Sequence, residues 1–173
     1  MRRLIWPVLF LFLLMLQGAA TVFYTAWLDF DLPLLALYGY SMLRKEGAGT
    51  LAGLCIGFFQ DALTPGVFGF HILTRGAVGH LIGITREKVF KDNPTYHMFA
   101  IGVFSLLIRF ALWWVELVRS GGLWSMFPYF LWNTIGYCIG NSLLVVPMVF
   151  VVKKIYDWVR EDQIEWYKQT SDK

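Results

Sequence analysis

Charged residues are scarce in this sequence. Asp, Glu, Lys and Arg make up 16% of its 173 residues, whereas 57% are hydrophobic and the mean hydropathy is +0.55. Soluble domains carry about 25% charged residues, and a soluble core of this size could not bury so much apolar surface. The composition therefore predicts an all-α integral membrane protein that crosses the bilayer several times. The small net charge of +3 gives no indication of nucleic-acid binding.

Cysteines and catalytic motifs are also scarce. The two cysteines, Cys55 and Cys138, lie within apolar runs and show neither a zinc-ligand spacing nor a disulfide framework. The sequence has no Ser–His–Asp arrangement, no phosphate-binding loop and no paired carboxylates at helical spacing. It therefore predicts a protein that is not an enzyme and that carries no metal and no cofactor.

Hydropathy divides the chain into six apolar segments, which predict a six-helix polytopic bundle. The first is long enough for an uncleaved transmembrane helix, because a span needs about 20 residues. The second is too short to cross a hydrocarbon core of about 30 Å alone, so it is predicted to be tilted or partial. The segments are Leu4–Trp27, Leu32–Leu43, Gly47–Leu63, Gly66–Ile84, Tyr96–Val118 and Phe127–Val152.

Basic residues are distributed unevenly between the loops. If all six segments cross, twelve of the fifteen Lys and Arg residues lie on the side of the two termini, and only Arg119 lies on the other side. The positive-inside rule then predicts that both termini are cytoplasmic. Residues 1–152 form the predicted transmembrane domain. Residues 153–173 form a cytoplasmic tail, which is either a solvated end or an amphipathic helix with one apolar face of Ile155, Tyr156, Val159, Trp166 and Tyr167.

Glycine recurs at every fourth position in the third and fourth segments. Gly49, Gly53 and Gly57 share one face of a helix, and Gly79 and Gly83 share a face of the next. Such a stripe allows another backbone to approach closely. The approaching backbone belongs either to the same bundle or to a partner protein, and the sequence leaves both interpretations open.

Six polar residues are predicted to lie in the outer half of the bundle, where ionisable groups usually face the interior. Asp61 closes the glycine stripe and is predicted to pair with Arg75 or, as a second choice, with Arg109. Asp29 is predicted to lie in a solvated loop. The cluster is either a structural network that joins helices or a ligand pocket. Its members are Asp61, His71, Arg75, Arg109, Glu116 and Asn133.

Three consecutive pieces occupy the region from Leu32 to Phe90. They are a proline-led short helix (DLPLLALYGYSMLRKEGAG), the glycine stripe with its acid and tight turn (GTLAGLCIGFFQDALTPGVFGFHIL) and a glycine-bearing helix (GHLIGITREKVF). In this order they resemble the MreD family, the rod-shape-determining membrane proteins of bacteria. The resemblance implies a multi-pass protein of the bacterial inner membrane. It also implies a six-helix fold similar to the substrate-binding component of energy-coupling-factor transporters.

The same resemblance implies a function in cell shape. MreD-like proteins are non-enzymatic scaffolds of the elongasome, the complex that controls lateral peptidoglycan synthesis. They pair with MreC, a single-span protein, and through it act with the MreB filament and with the elongation glycosyltransferase and transpeptidase. The expected partners are therefore these proteins and membrane lipid, with no nucleic acid.

Two other functions remain open on the sequence. The first is the substrate-binding component of an energy-coupling-factor transporter for small molecules, in which the polar cluster would be the pocket. Such components usually dock their coupling subunit through small residues in the first helix, and LIWPVLFLFLLM has none. The second is a membrane enzyme acting on lipid-linked precursors, for which Asp61 and its neighbours are the sole candidate acid or base.

Overall fold

The computed structural model describes residues 4–20, 29–44, 47–64, 66–85, 93–120 and 127–171. These ranges are all-α, with six helices and no strand. Some features of the sequence prediction lie outside them, namely the end of the first segment (21–27) and the basic residues Arg2, Arg3, Lys45, Arg86, Lys88 and Lys91. The helices are α1 Ile5–Ala20, α2 Leu32–Leu43, α3 Ala48–Leu63, α4 Phe70–Thr85, α5 Pro94–Ser120 and α6 Phe127–Ser171.

Two helices of the described chain are long and apolar enough to cross a membrane, by length and composition. They are Pro94–Arg119 within α5 and Phe127–Arg160 within α6. Shorter apolar helices are found in the first half of the chain. Large apolar side chains also cover the surface, and Leu73, Phe99 and Phe150 are each about 70% exposed. Such a surface favours contact with lipid over contact with water.

The short helix α2 lies at the centre of the bundle, where it contacts α1, α3, α4 and α6. Every residue from Pro33 to Gly39 is buried, as are Ser41 and Met42. A helix that is apolar on all sides is stable where protein surrounds it, which explains why the pattern of this segment has no polar face. At about 1.5 Å per residue its length is about 18 Å, well short of the bilayer core.

The glycine stripe lies where α3 packs against α4. A side chain there would overlap the backbone of the neighbouring helix, so the two helices can approach this closely only with glycine at the contact. The stripe thus faces a helix of its own bundle. Gly79 and Gly83 are buried on α4. A Cβ atom would overlap the carbonyl of Gly79 if added at Gly49, that of Arg75 if added at Gly53, and that of His71 if added at Gly57.

Within the described residues, two helix boundaries differ from the sequence prediction by more than two residues. Helix α4 begins at Phe70 rather than Gly66, because Gly69 has a φ of +100°, a left-handed conformation outside any α-helix that favours glycine. Helix α6 continues to Ser171, so the predicted tail prolongs the last apolar segment as a helix. Val159 is buried on this extension, whereas the side chains of residues 161–171, including Trp166 and Tyr167, lie outside the described part.

Candidate functional site

The carboxylate of Asp31 is the centre of a buried network at the start of α2. Its Oδ1 accepts a hydrogen bond from the backbone N–H of Leu34 at 2.9 Å and so caps the helix. Its Oδ2 accepts from the hydroxyl of Tyr137 at 2.8 Å and from Nη2 of Arg75. The backbone N–H of Asp31 donates to Oδ1 of Asn141 at 2.8 Å. One residue therefore connects α2 with α4 and α6.

The guanidinium of Arg75 lies almost fully inside the bundle, with 1% of the residue exposed. In addition to the ion pair with Asp31, its Nε donates to Oε1 of Gln60 on α3 at 3.1 Å. Its Nη1 is buried and has no acceptor among the described residues. Arg75 thus extends the network to a fourth helix, while the N–H groups of Nη1 are not used by the described residues.

A second ion pair lies beside the first, nearer to the surface. Nη2 of Arg109 on α5 donates to Oδ2 of Asp29 at 2.6 Å, and the guanidinium stands 4.3 Å from the ring centre of Tyr137. Burial raises the pKa of the Asp29 carboxyl, and Arg109 offsets part of this effect because it favours the charged form. Asp29 is therefore only partly solvated, with 36% of its side chain exposed, because its carboxylate pairs with Arg109 of α5.

The carboxylate of Asp61 caps the next helix. It accepts hydrogen bonds from the backbone N–H groups of Gly69, His71 and Ile72 at 2.9, 3.0 and 3.1 Å, and its Oδ1 lies 2.8 Å from Nδ1 of His71. These amides form the N-terminus of α4, where unpaired N–H groups and the helix dipole favour an anion. Asp61 therefore holds the end of α3 against the start of α4.

This geometry corrects the predicted pairing of Asp61. Neither Arg75 nor Arg109 bonds to Asp61, since their carboxylate partners are Asp31 and Asp29. Arg75 lies more than one turn inside α4, whereas Asp61 reaches only the first amides of that helix. The two acids immediately before α2 therefore supply the counter-ions that the prediction had assigned to the end of α3.

Five of the six predicted polar residues line two small cavities. His71, Arg75 and Arg109 line a polar cavity of about 170 Å³ together with Asp29, Asp31 and Tyr137. Glu116 and Asn133 line a second cavity of about 230 Å³, to which Arg109 also contributes. Asp61 touches the first group through His71 without lining that cavity. Arg109 is thus the residue common to the two halves of the predicted cluster.

Buried polar residues outside the predicted cluster also join helices. Nδ2 of Asn141 donates to Ser105 at 3.0 Å, and thereby connects α6 with α5. The hydroxyl of Tyr38 on α2 lies 2.9 Å from Nδ1 of His97 on α5. The position of Asp31 just before Leu-Pro was the available signal, because an acid there is typical of a helix N-cap.

Removing the Asp61 carboxylate is expected to destabilise the protein. Substitution with Ala leaves the N–H groups of Gly69, His71 and Ile72 without their acceptor at the start of α4, and helix caps contribute about 0.5–2 kcal/mol. Substitution with Asn should cost less, because the side-chain oxygen of Asn also accepts in helix caps. The measurement is the midpoint of thermal unfolding in detergent. Equal midpoints for Asp61→Ala and the unchanged protein would contradict the capping role.

The polar side chains of this region join the helices of the bundle to one another. Within the described ranges no group of three or more His, Cys, Asp or Glu side chains could hold a metal ion. The ion pairs Asp31–Arg75 and Asp29–Arg109 balance charge within the bundle, and the acceptors of Asp61 are occupied by α4. The chain matches no protein-family model, no curated protein and no solved structure.

Proposed function

We propose that this chain is a non-enzymatic, multi-pass scaffold of the bacterial cell-elongation complex. In this proposal it pairs with an MreC-like single-span protein in the inner membrane and thereby controls cell shape and lateral peptidoglycan synthesis. The observation that supports it best is that buried charges of the described bundle bind one another, as in Asp31–Arg75. Polar groups that bind one another suit a scaffold, which needs a rigid structure. An enzyme or a transporter instead presents its polar groups to a substrate.

The resemblance to the MreD family supports the same proposal. It extends from Leu32 to Phe90, and α2, α3 and α4 lie in that region. These are the helices joined by the glycine contact, by the Asp61 cap and by the Asp31–Arg75 pair. The matching motifs are thus the residues that shape the centre of the bundle.

The proposal includes six crossings and two cytoplasmic termini. The distribution of Lys and Arg supports this topology. In a background without Cys55 and Cys138, a cysteine at Ser120 should react with a membrane-impermeant maleimide in intact cells. A cysteine at Lys45 should react only after the cells are opened. Labelling of the Lys45 position from outside would contradict six crossings.

The identity of the proteins that co-purify with the chain tests the proposed function directly. Purification of the tagged protein from its own membrane in a mild detergent should recover an MreC-like single-span protein. The elongation glycosyltransferase and transpeptidase should follow in smaller amounts, because their contact is through MreC. Recovery of a pair of ATPases and a coupling subunit in their place would contradict the scaffold and favour the transporter.

A small-molecule-binding component of a transporter is the second candidate. The observation that favours it is the unused Nη1 donor of Arg75, a residue that lines the polar cavity. The cavity volume argues against it, because 170 Å³ is below the range of about 300–1,000 Å³ that small-molecule sites occupy. A space of this size suits a few water molecules, which would also accept the Arg75 hydrogen bond.

A further inference from the structure

An apolar groove runs along the surface between α1, α2 and α3. Its volume is about 540 Å³. Side chains of Phe10 and Leu14 from α1 and of Leu51, Cys55 and Phe59 from α3 line its walls. We name it the α1–α3 groove. Nothing in the scaffold proposal uses it, and its volume lies within the range of about 300–1,000 Å³ that ligand sites occupy.

One end of the α1–α3 groove carries a positive charge. The guanidinium of Arg44 lines this end and is held over three aromatic rings, those of Trp6, Tyr40 and Tyr156, at 5.7, 5.5 and 5.2 Å. No carboxylate of the described residues pairs with it, while Glu46, which follows in the chain, lies outside them. The rings thus fix a cation at the mouth of an apolar groove without neutralising it.

Two hydrogen-bond donors at this end also lack partners among the described residues. Nε of Arg44 and the indole Nε1 of Trp6 are buried, and neither has an acceptor within the described ranges. Trp6 is 5% exposed and lines the same groove. Unsatisfied buried donors are costly, so their concentration beside a cation indicates that an acceptor group with negative charge binds nearby.

The dimensions of the groove indicate what its apolar part holds. It extends from Trp6 to Leu14 along α1, which at 1.5 Å per residue is about 12 Å. A helix about 10 Å across would need about 900 Å³ over that length, more than the groove provides. A single acyl chain is much narrower than a helix. We therefore propose that the α1–α3 groove binds an anionic phospholipid, with an acyl chain between α1 and α3 and the phosphate at Arg44.

The proposal is tested by lipid binding to the purified full-length protein, measured by native mass spectrometry. The probes are palmitoyl-oleoyl phosphatidylglycerol and phosphatidylcholine with the same chains. Phosphatidylglycerol should bind about fivefold more tightly, because one basic residue at a membrane surface contributes roughly this much. Arg44→Gln should abolish the difference, whereas Arg44→Lys should retain it. Arg119→Gln, which changes an exposed arginine on α5, is the control and should leave the preference intact.

The apolar part has its own variant and control. Leu51 is 65% exposed on the groove wall, so Leu51→Trp should narrow the groove without disturbing the core. The binding of both lipids should then be weaker. Leu107→Trp makes the same change at an exposed position of α5 and should leave the binding of both lipids unchanged.

Three results would overturn the proposal. The first is equal binding of the two lipids to the unchanged protein. The second is displacement of phosphatidylglycerol by inorganic phosphate alone, which would show that the acyl chain in the groove does not contribute to binding. The third is unchanged lipid binding in Leu51→Trp combined with loss of a co-purifying membrane protein, which would assign the groove to a partner helix.

Discussion

Replacing Arg75 with Gln is expected to lower the free energy of unfolding by about 3–5 kcal/mol, the typical cost of breaking a buried ion pair. The side chains of Arg75 and Asp31 are only 2% and 8% exposed. Gln removes the positive charge, so the Asp31 carboxylate remains buried with hydrogen bonds but without a counter-ion. The change should be measured as the free energy of unfolding of the purified protein in a mild detergent.

Arg109→Gln is the matched control for this prediction. It breaks the neighbouring pair with Asp29, whose side chains are 19% and 36% exposed. Partly solvated pairs contribute about 0–1 kcal/mol, so the loss should be several times smaller than for Arg75. Similar losses in the two variants would contradict the view that burial determines the contribution of each pair.

The second large effect is expected from Gly53→Ala. A single methyl group at this position would overlap the backbone carbonyl of Arg75, and a backbone cannot move aside as the end of a flexible side chain can. Overpacking in a close contact costs about 1–3 kcal/mol, and the displacement of α4 would also disturb the Arg75 ion pair. The free energy of unfolding and the amount of protein in the membrane should both fall.

Gly18→Ala provides the comparison, because Gly18 also lies within a helix and a Cβ there meets no atom of the described residues within 4 Å. Alanine in a helix is normally more stable than glycine by about 0.5–1 kcal/mol, so this variant should be neutral or more stable. A loss at Gly18 as large as the loss at Gly53 would show that helix packing is not the cause.

The helices and the glycine contact could be predicted because their signals are local. Apolar runs indicate the segments, and α2 has the predicted bounds of Leu32 and Leu43. Glycine at every fourth position indicates a close helix contact whatever the rest of the chain does. The start of α4 was missed, because the turn before it contains Gly69 in a left-handed conformation that hydropathy does not reveal.

The partners of the charged residues could not be predicted, because they depend on how distant helices are rotated. Arg75 is only 14 positions from Asp61 in the chain, yet its partner Asp31 lies 44 positions away. Tyr137, which donates to the same carboxylate, lies 106 positions from it. Short separations favour the wrong pair, and only the packing of α2 between α4 and α6 brings the right groups together.

One sequence signal was nevertheless present for each acid. Asp31 precedes Leu-Pro, as helix-capping acids commonly do, and Asp61 precedes a turn that leads into the next helix. Both carboxylates accept hydrogen bonds from N–H groups at helix N-termini. Helix capping was therefore a better guide to these residues than charge complementarity.

We interpret the interior charges of this bundle as binding one another rather than a ligand. A double-mutant cycle of Asp31→Asn and Arg75→Gln tests it most directly, since Asn preserves the helix cap while removing the charge. We expect the double variant to lose less stability than the sum of the single variants, with a coupling of about 0.5–3 kcal/mol. Strict additivity of the two losses would contradict this pairing, because Asp31 and Arg75 would then act independently and their charges would be available to a bound molecule.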